Sequence, residues 1–192
     1  MKNTFEKVAG VVIDEREYQD QRWPGHNHGV GSFLTYMWHY YRIAEQLDST
    51  SDTNELLSLT PIRKLAALGV ACMEQNGIVS RKRGTAVLHP CPSIAVYDAI
   101  REERSYQATN YPDREPNGNP LETSEELSLI RTYLADADQA WSKNRGDAQA
   151  LNELRKVTAI AFRCMQTHGA PRRTILSNHP MAYGEPDGSE KQ

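Results

Sequence analysis

Apolar positions recur at helical spacing along most of the chain, and alternation of apolar and polar residues is nowhere sustained. Over residues 5–21, Val8, Val11, Val12 and Tyr18 form one stripe, closed by Pro24 and Gly25. Over 33–47, Leu34, Met37, Trp38, Tyr41 and Ala44 make a wide apolar face suited to packing against neighbours. Over 62–75, Ile62, Leu65, Ala66, Leu68, Gly69, Cys72 and Met73 share a face, and Asn76-Gly77 offers a C-cap. Segments 94–108, 124–141 and 148–167 read the same way, with Ser124 as an N-cap and Glu125 and Glu126 favourable in the first turn. Two prolines mark 84–92 as a linker, and a run rich in Pro, Gly and Asn marks 110–121 as a loop. The pattern predicts an all-α helical bundle.

The predicted helices come in two sets of three, and the sets resemble each other. LTPIRKLAALGVACMEQNG at 59–77 aligns with LNELRKVTAIAFRCMQTHG at 151–169, an offset of 92 with seven identities in 19 positions. Upstream, EREYQDQRWP at 15–24 aligns with ERSYQATNYP at 103–112, an offset of 88 with five identities in 10. Between them, Ala44 to Gln46 faces Ala137 to Gln139. Two similarities in the same order predict a tandem duplication: a first repeat over 1–83, a linker over 84–93, a second repeat over 94–173 and a flexible tail over 174–192. Each repeat supplies three helices, so the bundle is expected to be a pseudo-dimer within one chain.

Composition narrows the function classes without naming one. The 192 residues carry 22 Lys plus Arg against 25 Asp plus Glu, a net charge of -3, so a strongly basic nucleic-acid footprint is absent. No apolar run reaches the roughly 18 residues a membrane span needs, and no secretory pattern opens the chain. Three widely spaced cysteines do not make a disulfide framework. The expectation is a cytoplasmic protein. No Gly-rich phosphate loop, GxSxG or HExxH motif is present. His26, His28, His39 and His89 with Cys91 lack zinc spacing, and Cys72 and Cys164 fall on apolar faces, which suits packing better than nucleophilic chemistry.

EREYQDQRW, the central amphipathic segment and RKLAALGVACMEQNG together resemble the MazG-like all-α nucleotide pyrophosphohydrolases, especially short forms encoded by phages. ERSYQ, Ala140-Trp141 and LNELRKVTAIAFRCMQTHGAPRR look like a second member. The resemblance implies helical bundles that dimerise and cleave (d)NTPs between the α and β phosphates with Mg²⁺. It also implies acidic pairs three residues apart on helices, whose carboxylates converge on the ion. Here the pattern departs. At the corresponding positions of the first repeat stand Ser32, Trp38, Tyr40, Ile43, Pro61 and Lys64, none of them acidic. The second repeat keeps Glu125, Asp136 and Glu153 as the candidate metal ligands, with Arg131, Tyr133 and Lys156 at other positions.

Three function classes follow. The first is a Mg²⁺-dependent (d)NTP pyrophosphohydrolase, weak or divergent, using Glu125, Asp136 and Glu153, with no catalytic residue assigned. The second is a non-catalytic protein that binds or sequesters a nucleotide and needs no cofactor. For it, Arg63, Lys64, Arg155 and Lys156 are candidates to hold phosphate, and Arg16, Gln19, Arg22 and Trp23 to meet a base. The third is a structural or partner-binding phage protein on the same scaffold. The basic clusters Arg81-Lys82-Arg83 and Arg172-Arg173, which follow the last helix of each repeat, are further candidates to touch phosphate. A homo-oligomer is compatible with all three.

Overall fold

Six helices account for nearly all of the regular structure in a computed structural model that describes residues 3–50, 56–81, 86–88, 91–143 and 146–173. They are α1 (Phe5–Arg22), α2 (Val30–Thr50), α3 (Leu56–Asn76), α4 (Pro92–Asn110), α5 (Thr123–Ser142) and α6 (Asp147–His168). The all-α expectation is met. The tail over 174–192, much of the 84–93 linker, Lys82, Arg83 and His89 lie outside the described residues.

Local chemistry sets the ends. Thr4 caps α1, its hydroxyl accepting from the Lys7 amide at 3.3 Å. The α5 cap is Glu122 rather than Ser124: Glu122 and Glu125 form a reciprocal capping box, the Glu125 carboxylate accepting from the Glu122 amide at 2.9 Å. At the end of α3, Gly77 takes φ +107° and donates to the Met73 carbonyl; after α6, Gly169 takes φ +127° and donates to Met165. Glycine is what permits these left-handed turns. Two elements depart from the expectation. Helix α3 starts six residues earlier than its apolar stripe and runs through Pro61. Beyond Gly77, Ile78–Val79 (β1) pairs antiparallel with Ala86–Val87 (β2), a hairpin too short for a period-2 signal.

Helices α3 and α6 are central. They pack on each other, α3 also holds α1 and α2, and α6 also holds α4 and α5. The α3–α6 crossing is tight: a Cβ on Gly69 would collide with Thr158 Oγ1. One apolar cluster runs through all six helices, with Leu65, Met73, Ile130, Leu154 and Phe162 fully buried. Burial recurs at the spacings of the sequence matches. Val8, Val11, Val12, Glu15 and Gln19 are buried in α1, and Val96, Ala99, Ile100, Glu103 and Gln107 in α4. Val30, Phe33, Leu34, Met37, Tyr41 and Ala44 are buried in α2, and Thr123, Glu126, Leu127, Ile130, Leu134 and Ala137 in α5. Both rows contain charged residues, and the candidate site is made of these.

Candidate functional site

The buried acids of α1 and α4 each meet a buried arginine of the central helices. Glu103 on α4 accepts from Arg155 on α6, at 3.2 Å from Nε and 3.1 Å from Nη2. Glu15 on α1 pairs with Arg63 on α3 at 3.0 Å. Each arginine also donates Nη1 to a backbone carbonyl of the segment that leaves the opposite central helix: Arg155 to Val79, and Arg63 to Pro171 at 2.6 Å. A second cation then arrives on each of those segments. Arg81 reaches Glu103 at 3.2 Å and lies over the Tyr106 ring, 3.0 Å from its centroid; Arg173 reaches Glu15 at 3.4 Å and lies over Tyr18, also at 3.0 Å. The chain leaving α3 thus completes the cluster on α4 and α6, and the chain leaving α6 completes the one on α1 and α3.

The α4–α6 cluster opens into a cavity of about 200 Å³ lined by Arg81, Glu103, Tyr106, Tyr111, Arg114, Tyr133, Lys156 and Arg163 among others. Three lining cations are seated on aromatic rings: Arg81 on Tyr106, Arg114 on Tyr111 at 5.1 Å, and Lys156 on Tyr133 at 5.1 Å. A ring quadrupole holds a cation in place without cancelling its charge. Lys156 is also paired with Glu153 at 2.7 Å, and Arg163 forks onto both oxygens of Glu126 at 2.7 Å. Glu126 is fully buried, and burial raises its pKa against the pull of Arg163. Burial likewise lowers the Arg155 pKa, with Glu103 opposing. In and around the cavity, the five cations Arg81, Arg114, Arg155, Lys156 and Arg163 face the three carboxylates Glu103, Glu126 and Glu153. The local balance is positive in a chain that is negative overall.

The predicted phosphate-holding residues fall into both clusters: Arg155 and Lys156 in one, Arg63 and Lys64 in the other, with no residue in common. The proposed base-contacting set is not gathered at the cavity. Arg16 is held by Glu74, Asp20 and Gln19, and Gln19 is buried. Arg22 and Trp23 are exposed at the end of α1, where Trp23 meets Tyr18 edge-on.

The three candidate metal ligands lie apart in the fold. No three His, Cys, Asp or Glu side chains among the described residues are grouped so as to hold a metal ion, and Glu125, Asp136 and Glu153 are not brought together. Glu125 is spent on the α5 cap, Asp136 is exposed further along α5, and Glu153 is taken up by Lys156, Asn152 and Gln149. These donors do not fit a Mg²⁺ site, whose ligands must converge on one point. His26 and His28 sit ring to ring with centroids 5.9 Å apart, without metal partners. Burial pushes the Cys72 and Cys164 thiols up, as suits packing residues.

Sequence reasoning missed Glu126 with Arg163, and the tyrosines that seat the cations. At the offsets of the sequence matches Arg163 falls opposite Ala71 and Glu126 opposite Phe33, so neither appears as an identity. The Glu15/Glu103 and Tyr18/Tyr106 identities were a usable signal, because a buried acid that recurs at matched positions calls for a buried cation at each. No family model, curated protein or solved structure matches the chain.

Proposed function

We propose that this chain is a nucleotide-binding protein that holds phosphate with side-chain cations rather than through a metal. In this reading it is a non-catalytic, MazG-like protein built from two tandem repeats, acting in the cytoplasm, of the host cell if phage-encoded. The observation that carries the reading is the cavity between α4, α5 and α6, where Arg81, Arg114 and Lys156 ride on tyrosine rings and Arg163 forms part of the wall. A ring contact leaves a cation's charge uncancelled, most fully at Arg114, since Arg81 and Lys156 also pair with Glu103 and Glu153, and guanidinium groups match phosphate oxygens bidentately. The cavity is smaller than the ~300–1,000 Å³ that encloses a drug-sized ligand, so it suits the phosphate end of a nucleotide with the remainder outside. Recurrent burial and the paired Glu–Arg clusters support the tandem reading, since each cluster uses the same residue types at matching spacings.

Thermal unfolding with a panel of nucleoside mono-, di- and triphosphates, with and without EDTA, tests this. The expected result is stabilisation by at least one nucleotide that EDTA leaves intact and Lys156→Gln weakens. Absence of stabilisation by every nucleotide would overturn binding and favour a structural or partner-binding role. Mg²⁺-dependent pyrophosphate release that Glu153→Gln abolishes would overturn the non-catalytic reading and restore the enzyme.

A further inference from the structure

The two clusters differ in how far their cations are satisfied. In the α4–α6 cluster, Arg155 Nε donates to Glu103 at 3.2 Å and Lys156 is paired with Glu153 at 2.7 Å. In the α1–α3 cluster neither of these two contacts is present among the described residues, although Arg63 Nη2 still pairs with Glu15. Arg63 is 3% exposed, and its Nε is buried without a hydrogen-bond partner among the described residues. Lys64, half-buried, has the Tyr40 ring 5.1 Å away and no carboxylate within ion-pair distance among the described residues. The cause is legible in the chain: three residues before Lys156 stands Glu153, whereas three before Lys64 stands Pro61. Among the described residues Glu15 is therefore the carboxylate in ion-pair contact with both Arg63 and Arg173, and Lys64 lies within electrostatic reach of all three.

A buried donor without an acceptor costs on the order of 1–3 kcal/mol, and a half-buried ammonium without a counter-ion adds to that. Arg63, Lys64 and Arg173 face Glu15, with Asp14 also within electrostatic reach of Arg63, so the local balance stays positive and favours an entering anion. Burial lowers the Lys64 pKa, Glu15 opposes the shift, and Arg63 and Arg173 add to it; an entering anion would relieve that strain on the charge. We propose that Lys64, Arg173 and Arg63 form a second anion site, separate from the α4–α6 cavity, that takes a small phosphate-class oxyanion. Its occupant is held by charge and hydrogen bonds at Lys64 Nζ and the two guanidinium groups, with Tyr18 and Tyr40 as the walls that seat Arg173 and Lys64.

Calorimetric titration of the full chain with inorganic phosphate tests the proposal, with Lys64→Gln, Pro61→Glu and Lys156→Gln as variants. Pro61→Glu is the decisive one, because it leaves Lys64 in place and supplies the carboxylate that the other cluster has. Phosphate is expected to bind this site at least tenfold more weakly in Lys64→Gln and Pro61→Glu than in the unmodified chain, whereas Lys156→Gln removes only binding at the α4–α6 cavity and leaves the Lys64-dependent component in place. Far-ultraviolet circular dichroism establishes that each variant is folded. In the unmodified chain, nitrogen-detected NMR of the Lys64 ammonium is expected to report an upward pKa shift as phosphate is added. Repeating the titration with a nucleoside monophosphate separates free phosphate from a phosphate ester as the natural occupant. No phosphate binding, or binding that Lys64→Gln and Pro61→Glu leave unchanged, would overturn the site without touching the nucleotide reading of the other cavity.

Discussion

Replacing Arg163 by Met separates what the Glu126–Arg163 fork does for the fold from what it does for the cavity. Glu126 is 0% exposed and Arg163 2%, with two 2.7 Å bonds between them. Removing the arginine leaves a carboxylate with no access to water. Breaking a buried pair in this way costs about 3–5 kcal/mol. For a chain of this length each kcal/mol lowers the melting temperature by about 2–4 °C, so a fall on the order of 10 °C is expected. Glu126→Leu should cost less, because Arg163 lines the cavity and can turn its charge toward water there. The double variant Glu126→Leu/Arg163→Met removes both charges and should recover to within about 1–2 kcal/mol of the unmodified protein. Denaturant unfolding followed by circular dichroism measures all three, and the double-mutant cycle should return a large coupling. Single-variant costs below about 1 kcal/mol, or a double variant as unstable as the sum of the singles, would refute the picture of a desolvated pair. On the proposed reading, the double variant, folded but without Arg163, is also expected to show no stabilisation by nucleotide.

Other perturbations reach the remaining features. Glu153→Gln releases Lys156 from its 2.7 Å partner and should strengthen nucleotide binding roughly two- to fivefold, the range of a partly exposed ion pair, as read by calorimetry; a loss of affinity would show that Glu153 serves the ligand rather than competing with it. Gly69→Ala forces a Cβ against Thr158 Oγ1, and overpacking of about 1–3 kcal/mol should outweigh the roughly 1 kcal/mol helix-propensity gain, so chemical denaturation should show net destabilisation. Lys64 has a folded-state pKa below its ordinary value, so between the two the unfolded chain binds more protons and stability rises with pH. Glu15, Arg63, Arg173 and Tyr40 surround it, and Lys64→Gln should flatten that part of the pH–stability curve; an unchanged curve would assign the slope to other groups.

Helical periodicity carries its information in apolar residues, which is why α1, α2 and the cores of α3 and α6 were legible from the chain. The start of α3 was not, because Pro61 reads as a boundary; the helix passes through it with Ile62, Leu65 and Ala66 anchored in the core beyond. The hairpin of β1 and β2 was invisible for a different reason, since two residues per strand establish no period. At the site, Arg63, Lys64, Arg155 and Lys156 stood out because the pair recurs, while Arg163 and Glu126 escaped notice because their counterparts Ala71 and Phe33 are apolar. Charge buried deep in a helix face breaks the very pattern by which the helix is recognised. A carboxylate's position also says nothing about its partner: Glu125 and Glu153 stand at two positions of a broken acidic motif and are occupied by a cap and a lysine in the fold.

The reciprocal exchange of cations ties these features together. Arg81 leaves the end of α3 to complete the Glu103 cluster, and Arg173 leaves the end of α6 to complete the Glu15 cluster. Each cluster therefore depends on backbone from the opposite half, through Val79 in one and Pro171 in the other. Neither three-helix set holds a finished site by itself, so the two clusters form only when α3 and α6 are packed together. With that geometry shared, a few side-chain differences give the clusters different charge balances. Glu153 against Pro61 decides whether the lysine is neutralised, and the Glu126–Arg163 pair against Phe33 and Ala71 decides whether a guanidinium enters the cavity wall. One cluster thereby has several ring-seated cations around a cavity, and the other is compact with an unmet guanidinium donor, on one shared helical frame.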